Sequence, residues 1–84
     1  MIKVGQIYEF KEKDKSGIDR AIVTKKNPPT KDFNFYKYDL IFQDGEAWEW
    51  ARNNDIQKYM VLVAEYPTWQ EAVNSKEFKG VKKC

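Results

Sequence analysis

Chemistry on a protein surface needs a proton carrier, an activated nucleophile or charge gathered in one place, and this chain is poor in the first two. It has no His, the commonest general base and metal ligand, and its one Cys, Cys84, is the last residue. The carboxylates are scattered. Glu46 and Glu49 fall on opposite faces of an extended segment, so they cannot work there as an acid–base pair. No zinc-ligand spacing, no glycine-rich phosphate loop and no nucleophile beside a base occurs. The expectation is a protein without catalytic residues, metal or cofactor. What the chain offers instead is rings and cations: thirteen aromatics, three of them Trp, and fifteen Lys/Arg in 84 residues.

The cations are unevenly placed. Residues 1–34 hold eight Lys/Arg against five Asp/Glu, residues 35–66 three against six, and residues 67–84 four against two. Lys11, Lys13, Lys15, Arg20, Lys25, Lys26 and Lys31 surround two loops of the basic first third, with Phe33 and Phe35 available for stacking. Basic residues interleaved with aromatics can follow a phosphate backbone and stack bases. Glu9, Glu12, Asp14, Asp19 and Asp32 lie among them and partly cancel the field. Lys11, Lys13, Lys25, Lys26 and Lys31 are therefore the candidate nucleic-acid contacts, in competition with an ordinary mixed-charge surface.

The elements that must position these groups are short and mostly extended. Asp44-Gly45 stands between two runs rich in aromatic and β-branched residues, a strong hairpin signal. A two-residue loop would set Leu40 against Glu49 and Asp39 against Trp50. A three-residue loop, Gln43-Asp44-Gly45 with Gly45 left-handed, pairs Leu40 with Trp48 and Tyr38 with Trp50 instead. Because a slip of one residue turns every side chain to the other face, the longer loop is expected. Residues 5–10, with Ile7 set apart from Tyr8 and Phe10, form a first strand, and residues 20–24 a second. Asn27-Pro28-Pro29 forces a loop before the hairpin. Residues 52–55 predict one 3₁₀ turn ending at Ile56, and residues 59–64 a strand buried on both faces.

After Pro67 the period becomes helical. Thr68-Trp69-Gln70-Glu71 is a capping box, and Trp69, Ala72 and Val73 share one stripe, with Phe78 off it. Tyr66, just ahead of the cap, is placed to pack on Ala72. One domain spans 1–84, since a chain this short has no room for two independent cores. A lone Cys permits no disulfide framework, no apolar run opens the chain, and the stretch 59–64 is far too short to cross a bilayer. A cytoplasmic protein without membrane contact is expected.

Five strands in this order, with a long charged loop, a Pro-containing loop, a tight Asp-Gly turn and a single helical turn between them, are similar to the SH3-like barrel. Within that class, 38–45 followed by Trp48, Trp50 and Asp55-Ile56 resembles a Tudor-type barrel over about residues 4–63. The short, Lys-rich, His-free chain also resembles small phage and prophage proteins of low-GC Gram-positive bacteria, which would place it in a host cytoplasm and make a host protein the partner. The resemblance implies a mainly β fold: a five-stranded SH3-like barrel over about 4–64, one C-terminal α-helix over about 68–79 and a fraying tail at 80–84. It also implies an aromatic cluster at the barrel mouth, where Tyr36, Tyr38, Trp48 and Trp50, joined by Tyr8 and Phe33, would hold a cation through ring quadrupoles. Against that, Leu40, Phe42 and Trp48 are assigned to the core, while Tyr36 and Trp50 are divided between core and cage. The expected function is a small non-catalytic binding module that takes a protein partner on Tyr8, Phe33, Tyr36 and Trp50. A sequence-tolerant nucleic-acid binder is the alternative.

Overall fold

The turn at Asp44-Gly45 sets the rest of the sheet. The computed structural model of the chain describes residues 2–12 and 19–79, except the side chains of Trp50 and Lys79. In it the Phe42 amide donates to the Glu46 carbonyl (2.8 Å) and the Gly45 amide to the Phe42 carbonyl (3.0 Å). Gly45 has φ +90°, a region that costs glycine little and other residues more. The Asp44 carboxylate accepts from the Glu46 amide (2.9 Å), bracing the turn from its side chain. This is the three-residue loop, and it brings Leu40 opposite Trp48 as expected. Further from the turn the ladder slips between Tyr38 and Leu40, so Tyr38 faces Ala51 and not Trp50.

The strands are β1 (Gln6–Phe10), β2 (Arg20–Asn27), β3 (Lys37–Phe42), β4 (Ala47–Arg52) and β5 (Met60–Glu65). Helix α1 (Asn53–Tyr59) lies between β4 and β5, and α2 (Trp69–Val73) and α3 (Lys76–Lys79) follow β5. All pairs are antiparallel, in the order β4-β3-β2-β1-β5. Register shifts between Val23 and Lys25 and between Ile7 and Tyr8 mark bulges, which bend strands and tighten their twist. The fold is mainly β, but β4 and β5 are the ends of the sheet and not neighbours in it, so the sheet is not a closed barrel.

Both faces of this one sheet are covered. Tyr8, Ala21, Val23, Tyr38, Leu40 and Phe42 point to one side, where Ile2, Ile56 of α1 and Met60 complete a core. Ile7 and Ile22 point to the other and meet Ala72 of α2 and Phe78 of α3. The separation of Ile7 from Tyr8 is therefore a separation of two cores. On the first face Gln6, almost fully buried, accepts from the Tyr8 hydroxyl (2.8 Å) and from the Lys3 amide (2.9 Å). Burial, then the nearby Glu65 and Tyr38, pushes the Tyr8 phenol above its usual pKa.

Several expectations are corrected here. Tyr8, a candidate partner contact, is core. Trp48, assigned to the core, is 50% exposed: its register is right, but β4 is an end strand with no neighbour to shield it. Strand β5, expected to be buried on both faces, is the other end, and it leaves Val61 and Leu62 about half exposed. Residues 52–55 do not form a single 3₁₀ turn; they lead into a seven-residue α-helix anchored by buried Ile56. The C-terminal helix is two helices. The Asn74 amide donates to the Gln70 carbonyl (3.1 Å) and the Ser75 hydroxyl to the Ala72 carbonyl (2.6 Å), and such local bonds compete with helix continuation. The break turns Phe78 inward from its off-stripe position. The cap is as expected, with the Glu71 amide donating to Thr68 Oγ1 (3.2 Å). Among the described residues no helix is long and apolar enough to cross a membrane.

Two tests follow from this packing. Gly5 has φ +98°, and a Cβ there would lie 2.2 Å from the Tyr66 carbonyl oxygen. Gly5→Ala should therefore lower stability by more than the roughly 1–3 kcal/mol of a strained backbone alone. Gly45→Ala, whose added Cβ meets nothing within 4 Å, should cost only the roughly 1–3 kcal/mol of the strained backbone. Urea unfolding midpoints would rank the two. Separately, the Tyr66 hydroxyl donates to the Glu77 carboxylate. That bond is the main reason the Glu77 pKa is lowered and the Tyr66 pKa raised. A lowered carboxyl contributes stability that is lost as pH falls through its folded pKa. A raised phenol contributes stability that is lost as pH rises through its own. The melting temperature should fall at both ends of a pH series, and Tyr66→Phe should flatten both limbs; unchanged limbs would show the bond to be unimportant.

Candidate functional site

Two clefts lie on either side of α1, and between them they hold most of the exposed rings. The first, about 430 Å³, is lined by Ile2, Phe35, Tyr36, Tyr38, Arg52, Asn53 and Asn54. The second, about 260 Å³, is lined by Phe10, Trp48, Ala51, Asp55, Ile56, Tyr59 and Met60.

The first cleft is built by the loop before β3 and the far end of the hairpin. Pro28 and Pro29 restrict the loop's entry, and a local turn closes it. The Thr30 amide donates to the Phe33 carbonyl (2.7 Å) and the Phe33 amide to Thr30 Oγ1 (3.2 Å). Phe33 and Phe35 then meet edge to face, with ring centres 5.7 Å apart. Cations lie over these rings. Lys37 Nζ is 4.6 Å from the Phe33 ring centre, the Arg52 guanidinium carbon 4.8 Å from Phe35, and Lys26 Nζ 4.5 Å from Tyr36. Lys37 and Arg52 are partners in the register of β3 and β4. Beneath them Tyr38 is buried, and burial, with a smaller effect from Tyr36, raises its pKa.

The second cleft is the slot between the two unjoined ends of the sheet. Trp48 packs edge-on against Phe42 (5.0 Å) and Phe10 (5.8 Å), while Phe10 and Phe42 stack at 5.8 Å. Across the slot Tyr59, at the C-terminal end of α1, is 53% exposed, with Lys58 Nζ 5.3 Å from its ring centre. Among the described residues Asp55 is the one charged residue of the lining.

The expected site residues are thus divided. Phe33 and Tyr36 share the first cleft's edge, both exposed, whereas Tyr8 is buried and the Trp50 side chain lies outside the described residues. The four-ring cage does not assemble, because Tyr38 is core and Trp48 belongs to the slot on the other side of α1. Of the candidate nucleic-acid contacts, Lys25 and Lys26 sit at the end of β2 beside the first cleft, with exposed Lys31 in the loop that borders it. Lys11 is at the opposite end of β1, where its amide donates to the Tyr59 carbonyl (2.8 Å). Lys13 and Lys15 lie outside the described residues. Arg20 is occupied by Glu9 (3.2 Å) and by the Glu77 carbonyl, so it does not contribute to an open basic surface. Lys37, Arg52, Asn53, Asn54 and Tyr59 were not anticipated. Extending the hairpin ladder away from its turn would have brought Arg52 to the Tyr36–Lys37 end; nothing in the pattern marks Tyr59.

Among the described residues no group of three or more His, Cys, Asp or Glu comes together that could hold a metal ion. The first cleft presents rings, two amides and a guanidinium, the second rings and aliphatic side chains with one carboxylate. Comparison with known proteins found no matching family model, no matching curated protein and no matching solved structure.

Proposed function

We propose that the protein is a small non-catalytic binding module and that the slot between β4 and β5 receives a protein partner. One observation carries the reading. Trp48 and Tyr59, each about half exposed, flank a 260 Å³ slot whose lining is almost wholly apolar. Half-exposed large rings around an apolar concavity are what an interface anchor enters, and Trp and Tyr dominate the energetics of such contacts. Asp55 and Lys58 supply a charged rim, which adds orientation more than affinity. Leu62 and Val61, exposed along the end strand β5, extend the apolar area beyond the slot.

The strand order supports an SH3-like reading of the architecture. A four-strand meander with β5 returning to pair with β1, and one short helix before β5, is the connectivity that such barrels use. In that reading the slot is the seam at which the barrel would close, and the partner is held where the chain's own ladder stops. Fold alone assigns no partner, so the weight rests on the slot.

The expected outcome of affinity capture is a protein retained by the wild type, and then bound in purified form, that is lost with both Trp48→Ala and Tyr59→Ala. Each substitution should leave cooperative unfolding in place, since neither side chain is fully buried. Loss of about 2 kcal/mol or more of binding from each would mark them as anchors. Undiminished binding in both variants would overturn the proposal, as would binding lost only because the variants unfold.

A further inference from the structure

The cleft on the other side of α1 carries a different chemistry. From the arrangement of its rings and cations we infer that it binds single-stranded nucleic acid, a second site independent of the slot. Three cations serve it: Lys26 of β2, over the Tyr36 ring, Arg52 of β4, over Phe35, and exposed Lys31 in the bordering loop, while Lys37, over Phe33, is itself buried. The acidic residues beside them are Asp32, in the loop, and Asp39, which accepts from the Asn27 amide (3.2 Å). Positive charge therefore predominates at this end of a chain whose middle third is acidic overall.

The rings decide which anion fits. Phe33 is 43% and Tyr36 44% exposed, a large apolar exposure for loop residues held by Pro28, Pro29 and the Thr30–Phe33 turn. They are presented in a set geometry, so little ordering is needed on binding. Unpaired bases stack on such faces, and phosphates between them meet Lys and Arg. The cations already over the rings lie where a stacked base would bring its phosphate; a flexible Lys can swing from ring to phosphate without leaving the site. Asn53 and Asn54, lining the cleft, supply amide donors and acceptors that suit base edges. An acidic protein segment would use the cations but gain little from the rings. A duplex keeps its bases paired and would leave Phe33 and Tyr36 without a partner. A cationic ligand is disfavoured because Lys26, Lys37 and Arg52 already hold the ring faces.

The test is fluorescence anisotropy with a labelled oligothymidylate of about twelve nucleotides, within the range of roughly 4–16 that one small β-domain covers. A duplex of equal length and an oligoglutamate peptide serve as competitors. The oligothymidylate should bind, and its affinity should fall with salt at a log–log slope near −2, about −0.7 for each of three phosphates neutralised. Phe33→Ala and Tyr36→Ala should each weaken binding by about 5- to 100-fold, the size of one lost base stack. Trp48→Ala should leave it unchanged, which separates this site from the protein-binding slot. No binding to the oligothymidylate would overturn the inference. So would full displacement by oligoglutamate, equal affinity for the duplex, or loss on Lys26→Glu and Arg52→Glu with Phe33→Ala and Tyr36→Ala silent. Circular dichroism of each variant confirms that the fold is intact.

Discussion

Ile7 and Tyr8 are neighbours in the chain and point into different cores, and the architecture depends on that alternation. A strand turns successive side chains to opposite faces, so a single sheet in a chain of 84 residues must be covered twice. The first face is covered by the sheet's own curl, which bulges in β2 and β5 make possible, and by α1. The second is covered by the two short helices after β5. Neither helix pair nor sheet would be stable alone: a five-residue and a four-residue helix cannot form in water without a surface to lie on. Each layer depends on the other.

The same economy places the exposed rings. With both faces committed, no further element among the described residues shields the ends of the sheet, and large side chains at those ends stay half open. Trp48 on β4 and Leu62 on β5 are exposed because of their position, not their chemistry. Helix α1 bridges the ends and divides the space between them, one side lined by Trp48 and Tyr59, the other by Phe35, Tyr36 and Arg52. Two surfaces of opposite character therefore sit a few residues apart, with Asn53 and Asn54 facing one and Asp55 and Tyr59 the other.

What was legible in the sequence was what depends on parity. Leu40 and Trp48 had to face each other because only one loop length keeps apolar side chains together, and Ile7 had to leave Tyr8 and Phe10 because strands alternate. The slip beyond Leu40 was not legible, since one extra residue leaves no mark on a hydrophobic pattern. Burial was misjudged where it depends on neighbours: 59–64 reads as a core strand by composition, yet β5 has only one neighbouring strand. Tyr8 was assigned to the barrel mouth through the resemblance, yet it lies in the core, where buried Gln6 accepts from its hydroxyl. For the site, Phe33 and Tyr36 were visible as rings beside prolines. Their cations from β3 and β4 required the ladder in three dimensions.

The amide of Gln43 at the hairpin tip donates to the Phe78 carbonyl (3.2 Å) and its oxygen accepts from the Asp19 (3.1 Å) and Arg20 (3.3 Å) amides. Arg20 in turn reaches the Glu77 carbonyl, 57 positions later in the chain. A ribosome delivers residues in order, so the hairpin and the opening strand emerge well before the segment that completes this knot. Until then Ile7 and Ile22 face water, and the nascent chain carries an uncovered apolar sheet face. That face is covered only once Ala72 and Phe78 arrive, so it is the surface most open to other chains during synthesis.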